Sequence, residues 1–297
     1  SGIGRNSARG VSGRIEARGL MVAFGSKKGS KGGKVDAAAA QQGASGDGKG
    51  GSKGGFREQV TTLGLAILIA LSVRHFVIEP FRIPSGSMFP TLLIGDHLFV
   101  NKFIYGARIP FTDYRLPSIR DPERGDVVVF TVAKRGHSTY PADKKPRLPK
   151  EEFVKRIIGV PGDEIDFRAG KIHVNGEAID QTSLDEPFVD PAGTKLDQAA
   201  ISMGDHDFVV LDDPRRMGPS ARWPIRVEPG RYFMMGDNRD HSKDSRVWGT
   251  VRFEEIRGPA FILYFSWDFN GSWLEVINPM TWWQAEKRWG RFGSLVN

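Results

Sequence analysis

At 297 residues with no cysteine, the chain has room for one large domain or two smaller ones, and thiol nucleophiles, thiolate zinc sites and disulfides are excluded. The formal net charge of +7 is concentrated at one end: residues 1–57 hold 11 Lys/Arg against Glu16, Asp36 and Asp47, a net +8, which leaves about −1 for the remainder. The body is electrically balanced, which argues against nucleic-acid binding, and six scattered histidines with no His-x-x-x-His pair do not indicate a metal site.

Residues 1–55 are rich in Gly, Lys, Ser and Ala, a composition that buries too little apolar surface to offset ordering entropy, so a disordered basic tail is expected over 1–57. Val60 to Val73 is uncharged, and apolar character resumes at Phe76-Val77-Ile78. Counted through Arg74 and His75, these 19 residues reach roughly 28 Å as a helix, close to the hydrocarbon thickness of a bilayer. The competing reading is a buried core helix. A cleaved signal peptide fits less well, because Arg74-His75 occupy the place of a small-x-small site. The expectation is an uncleaved anchor at 58–78, with the basic tail in the cytoplasm and the rest of the chain outside.

Beyond the anchor, Pro84-Ser85-Gly86-Ser87-Met88-Phe89-Pro90 forms a proline-bounded turn that excludes a helix and presents two hydroxyls beside a glycine. Such a serine is a nucleophile if something takes its proton; otherwise it is a solvated turn. From residue 97 the pattern is that of β structure: runs at His97–Asn101, Asp126–Phe130 and Phe153–Val160, and an Asn175-Gly176 hairpin turn inside Ile172–Ile179. Residues 181–230 read as turn-rich, an insertion or subdomain, followed by apolar runs at Tyr232–Met235 and Phe261–Phe265. Six of the seven Trp lie at or after Trp248, a pattern of core packing or of an interfacial belt, as in residues 281–291.

No histidine sits in a context that points to a triad, so lysine is the alternative base. Lys155 lies in an apolar strand pattern where desolvation would lower its pKa; the competing reading is that Lys155 and Arg156 are both solvated. The stretch Gly236–Arg246 is too polar for a strand core and reads as a loop braced by Asp237, Arg239, Asp244 and Arg246. Interleaved Arg and Lys weigh against a calcium loop.

Four blocks in order, Pro84-Ser85-Gly86-Ser87-Met88-x-Pro90-Thr91, Gly125-Asp126-Val127-Val128, Lys155-Arg156-x-x-Gly159-x-Pro161-Gly162-Asp163 and Gly236-Asp237-Asn238-Arg239-Asp240-x-Ser242-x-Asp244-Ser245-Arg246, resemble bacterial type I signal peptidase over residues 79 to about 252. The resemblance implies Ser87 as nucleophile and Lys155 as general base, with Ser85 in the oxyanion hole and Ser242 orienting the lysine. It implies Met88, Asp244 and Arg246 as supporting residues. The family commonly has Asn where this chain has His241, which is therefore kept outside the catalytic set.

The implied fold is mainly β, an antiparallel protease core over 79–297 with an inserted β subdomain at about 166–230, preceded by one transmembrane helix. The implied activity needs no cofactor. It removes signal peptides from exported preproteins after a small-x-small site at the outer face of the bacterial inner membrane. The expected partners are preprotein signal peptides and membrane lipids, with no nucleic acid and no obligate protein partner. The rivals are a self-cleaving repressor-type protease, which lacks its helix-turn-helix here, an anchored β-domain that binds peptides without cutting them, and a nucleic-acid arm in the tail.

Overall fold

The structure is a computed structural model that describes residues 53–109, 112, 114–219, 221–268 and 286–296. Residues 1–52 of the tail expected over 1–57, and residues 281–285 of the Trp-rich segment, lie outside the described residues, whereas 53–57 are helical.

The described chain opens with helix α1 (Lys53–Phe76) of 24 residues. Its uncharged stretch, 60–73, is flanked by Arg57, Glu58 and Arg74, and no helix among the described residues is long and apolar enough to cross a membrane. Strand β1 (Ile78–Arg82) follows α1 directly, and β2 (Asp96–Asn101) returns antiparallel to it, Ile78 opposite Asn101 and Arg82 opposite His97.

Next come β3 (Val127–Arg135), β4 (Ser138–Pro141) and β5 (Lys150–Gly159), then the short strands β6 (Glu164–Arg168), β7 (Lys171–Val174) and β8 (Glu177–Ala178). Three longer strands follow, β9 (Asp180–Val189), β10 (Lys195–Met203) and β11 (His206–Asp212), and after them β12 (Ile225–Arg226) and β13 (Arg231–Met235). The one-turn helix α2 (Ser245–Trp248), β14 (Val251–Arg252), β15 (Ile256–Asp268) and β16 (Glu286–Lys287) complete the order. Among the described residues the main sheet runs β1-β2-β15-β3-β5-β13-β14, with β4 paired to β3 and β16 to β15. Two smaller sheets, β11-β10-β9 and β12-β6-β7-β8, use the chain between 164 and 226.

The centre of the main sheet is dry on both faces, and the sequence of β3 shows why. Val127-Val128-Val129-Phe130-Thr131-Val132-Ala133 has no polar alternation because neither face meets water. Val127 and Val129 pack with Ile83, Met88, Leu92, Leu98 and Leu263 on one side. Val128, Phe130 and Val132 pack with Ile157, Met234 and Ile256 on the other. A third cluster links Ile158, Phe233 and Met235 of the main sheet to Ile165, Ile201, Phe208 and Val210 of the smaller ones. The smaller sheets therefore share a core with the main one.

The hairpin expected at Asn175-Gly176 forms, with both residues at positive φ (54° and 86°) between paired β7 and β8. The turn-rich reading of 181–230 is corrected: it holds two strands of 9 and 7 residues and most of β9. Most of the β9 residues are exposed, and polar residues such as Thr182, Ser183 and Asp185 leave little hydrophobic alternation to read. Of the late tryptophans, Trp248 and Trp267 are core residues, whereas Trp289 is exposed.

Phe130 is fully buried at the middle of the sheet. Phe130→Ala is expected to lower the unfolding free energy by about 3–5 kcal/mol, as for other large-to-small changes in a packed core, measured as a shift of the urea midpoint.

Candidate active site

The turn at 85–90 is held from below by its apolar residues. Met88 and Phe89 are 1% and 4% exposed, so the single 3-10 turn Gly86–Met88 is anchored while Ser87 stays half-buried beside the cleft. Ser85 precedes the turn in extended conformation and its Oγ lies 3.5 Å from Ser87 Oγ. Leu92 N–H donates to the Met88 carbonyl at 2.9 Å, which closes the segment on itself.

Strand β5 brings two cations to opposite faces, as successive residues of any strand are. Lys155 Nζ lies 2.6 Å from Ser87 Oγ and donates to the Val154 carbonyl at 2.9 Å. Arg156 points the other way and its guanidinium forms a two-pronged pair with Asp237, Nε to Oδ1 at 2.9 Å and Nη2 to Oδ2 at 2.8 Å. It also donates to the Gly125 carbonyl at 2.7 Å and stacks 3.8 Å from the centroid of the Phe208 ring. Both Arg156 and Asp237 are sealed from solvent. The reading of Arg156 as a solvated residue is overturned: a buried carboxylate, a carbonyl and an aromatic face replace water around it.

Asp237 reaches back to the serine turn, accepting from Thr91 Oγ1 at 2.6 Å. Its neighbours tie the same two segments: Asn238 N–H donates to the Ser87 carbonyl at 3.2 Å and Asn238 Nδ2 to the Gly86 carbonyl at 3.0 Å. Gly236 is required by this contact. A Cβ there would stand 2.4 Å from the Ser87 carbonyl oxygen and 2.3 Å from Ser242 Oγ. Asp244 accepts from Gly236 N–H at 3.1 Å and pairs with Arg246 through two bonds of 2.8 Å, while also capping α2 by accepting from Arg246 N–H.

Burial decides the electrostatics. Lys155 is 3% exposed, and loss of hydration pulls its pKa from 10.5 down to about 8; Asp244 and Asp237 oppose that shift and Arg246 adds to it. A neutral amine 2.6 Å from a hydroxyl can take its proton. Around the pair is a cleft of about 630 Å³ with apolar walls from Ile83, Met88, Phe153 and Val154 and polar residues such as Asn238 and His241.

The profile for signal peptidase, peptidase S26, matches residues 56–267. A signal peptidase I of Pseudomonas fluorescens is 38% identical over 212 residues, spanning 68% of this chain and 69% of the relative. The chain belongs to the signal peptidase family, peptidase S26. That family makes it a serine endopeptidase that removes signal peptides. A signal peptidase I of Pseudomonas aeruginosa is likewise 38% identical, over 68% of this chain and 69% of its own length. One from Rickettsia typhi is 30% identical over 81% of this chain and 94% of the relative. A crystal structure of a signal peptidase I from Enterococcus faecalis matches at 26% identity over 48% of this chain and 98% of that one, with a TM-score of 0.27.

Of the residues that the signal peptidase resemblance singles out, Ser85, Ser87, Met88 and Lys155 line one cleft. Asp244 and Arg246 stand behind it as an ion pair. Ser242 is 2% exposed, yet its Oγ has no hydrogen-bond partner, so the expected bond to Lys155 is not made here. His241, where the family commonly has Asn, faces Asp213 with Nε2 3.0 Å from Oδ2 and has Nδ1 3.3 Å from Arg216. Hydrogen bonds from Arg215 and from this imidazole hold the Asp213 carboxyl down at about 2. The residues that sequence reasoning passed over are Arg156, Thr91 and Asn238. Their signal was adjacency to singled-out residues inside the same blocks, and their partners lie up to 152 positions away.

Because the native state holds Lys155 at about 8 and an exposed lysine titrates near 10.5, the unfolded chain binds more protons between those values. The group therefore opposes folding at neutral pH, and the opposition fades as pH rises from 8 to 10.5. Lys155→Met is expected to stabilise the protein at pH 7 by up to a few kcal/mol, with the gain over wild type shrinking toward pH 10. Urea melts at the two pH values check this.

Proposed function

We propose that this chain is a membrane-anchored signal peptidase in which Ser87 attacks the scissile carbonyl and Lys155 is the general base. The observation that carries the reading is the 2.6 Å approach of a desolvated lysine to the serine hydroxyl. Lys155 accepts the Ser87 proton as Oγ bonds to the carbonyl carbon. The developing oxyanion is held by the Ser87 N–H and the Ser85 hydroxyl, donors aimed at charge that exists only in the transition state. The lysinium then gives its proton to the leaving amine, which is the new N-terminus of the exported protein. Water, deprotonated by the same lysine, releases the acyl group.

Met88 forms part of the apolar floor beside Ser87, and Asp244 with Arg246 holds the loop that faces Lys155. Ser242 is the orienting residue in this reading, since its buried hydroxyl has no other acceptor or donor to serve. Cleavage after a small-x-small site is part of this reading, with Ile83, Met88 and Val154 supplying apolar lining to the cleft that holds Ser87. An extended substrate bound by strand addition presents alternate side chains to such a wall.

The anchor is α1. Val60, Leu63, Ile67, Leu68, Leu71 and Val73 lie around its circumference and are 41–62% exposed. A helix apolar on all sides is at home in lipid or in a protein core, and here nothing of the core covers it. Its orientation follows the basic tail, N-terminus cytoplasmic and catalytic domain on the outer face of the inner membrane. Tethering confines enzyme and preprotein to one surface and raises their effective concentration. Preprotein signal peptides and membrane lipids are then the partners, and the chemistry needs neither cofactor nor metal.

Purified preprotein incubated with the detergent-solubilised chain tests the assignment. Wild type is expected to cut after the small-x-small site, and Ser87→Ala and Lys155→Ala each to lose at least about 10³-fold in kcat/KM while melting cooperatively. Wild-type-like turnover by either variant removes its residue from the mechanism. The lysine base also predicts a pH profile: kcat/KM climbs about tenfold per pH unit below the Lys155 value and levels off above about 8. A rate flat from about pH 6 to 9 would point to another base.

A further inference from the structure

Another cavity, of about 460 Å³, is lined by five cations, Lys102, Arg108, Arg115, Lys150 and Arg257. Two carboxylates also line it, Glu254, which pairs with Arg252 at 3.0 Å, and Glu255; of the cations, Lys102 pairs with Glu79 at 3.0 Å and Arg257 with Glu152 at 3.4 Å. The cations are held together against their mutual repulsion. Arg108 and Arg115 face each other directly across an antiparallel bridge, an arrangement in which like charges destabilise. Among the described residues neither has a carboxylate within ion-pair distance. Arg108 donates to the Glu254 carbonyl at 3.1 Å, and Arg115 donates to the carbonyls of Ile256 (2.8 Å), Gly106, Phe253 and Glu254.

Carbonyl dipoles orient a guanidinium without neutralising it. Arg115 Nε is moreover buried with no acceptor, a donor that a well-packed structure does not leave idle. Thr112 and Thr131 add hydroxyls to the wall. Planar guanidiniums and hydroxyls are groups that bind a tetrahedral oxyanion.

The position of the cavity says where such an anion comes from. Lys102 N–H donates to the carbonyl of Val77, the residue that joins α1 to β1, and Lys102 Nζ pairs with Glu79 at 3.0 Å. The cavity thus opens beside the root of α1. Its lining includes an exposed apolar side chain, Ile109, and the neighbouring Tyr114, whose carbonyl accepts from Ile109 N–H at 2.9 Å, is 77% exposed. A soluble phosphate has no use for such side chains, whereas a lipid glycerol and the start of its acyl chains do.

We propose that this cavity binds the phosphodiester headgroup of an anionic membrane lipid. The choice of lipid over soluble phosphate rests on reading α1 as the anchor; the oxyanion chemistry does not. A bound headgroup would give Arg108 and Arg115 a counter-charge that no carboxylate among the described residues provides, and fix the height of the catalytic domain above the bilayer.

The test uses the full chain in non-ionic detergent micelles doped with phosphatidylglycerol or phosphatidylcholine, with retained lipids counted by native mass spectrometry. Wild type is expected to retain one phosphatidylglycerol with roughly tenfold preference, the size of one lost charge-assisted contact, and inorganic phosphate should compete for it. The double variant Arg108→Gln/Arg257→Gln should lose that preference while cutting preprotein at the wild-type rate in phosphatidylcholine micelles, which shows it folded. A variant that keeps the preference would overturn the cavity assignment. Calorimetric binding of inorganic phosphate by wild type, with equal retention of the two lipids, would overturn the lipid source and leave a soluble phosphate ligand; binding of neither overturns the site. Alkaline extraction of the vesicle-reconstituted chain reads the anchor separately: release into solution sinks the anchor while the phosphate titration still reports on the cavity.

Discussion

The site depends on one buried ion pair. Arg156 and Asp237 are both sealed from water, and each end of the pair is fastened to a different part of the chain. Arg156 sits next to Lys155 on β5, Asp237 begins the loop that packs on the serine turn, and Thr91 bonds the carboxylate from the turn itself. Three segments far apart in sequence are drawn to one point. Taking either partner away strands a charge in the core, a loss of about 3–5 kcal/mol, so the pair is conditional: together its members are tolerated, alone neither is. That all-or-none character suits a constraint on geometry, because a hydroxyl and an amine must meet within hydrogen-bond distance.

Burial costs stability and provides chemistry at the same residue. Lys155 is driven toward its neutral form by the same exclusion of water that makes β3 and β5 a dry, continuous apolar layer. Asp244 and Asp237 work against that shift, and the structure limits them by engaging their oxygens elsewhere, Asp244 with Arg246 and Gly236, Asp237 with Arg156 and Thr91. Carboxylates so occupied hold the loop in place without fully restoring the charge on the lysine. Gly236 completes the arrangement by letting two backbones approach where any side chain would part them.

The two proposed contacts with membrane lipid come from one end of the sheet. α1 runs straight into β1, and the cation-lined cavity opens where β2 ends at Lys102. The serine turn leaves β1 at its opposite end, after Arg82. A strand of five residues, about 17 Å long, therefore separates the root of the helix from the start of the serine turn, a spacing set by the backbone and indifferent to side-chain detail.

Local chemistry was legible in the sequence. The proline-bounded Ser85-Gly86-Ser87 turn, the apolar runs that became β2, β3, β5 and β13, and the Asn175-Gly176 hairpin each depend on neighbours within a few positions, so propensity and periodicity reach them. Ordered blocks carried the family resemblance for the same reason. What the sequence could not decide is which polar residues would lose their water. Lys155 and Arg156 look alike as a basic pair on a strand; the fold buries both and gives only Arg156 a carboxylate in contact, so the pKa of Lys155 falls to about 8 while Arg156 is held in an ion pair. The bulk of β9 was misjudged likewise, because exposed polar residues mask a strand. Burial is a property of the whole packing, summed over segments up to 152 residues apart, and no local pattern encodes it.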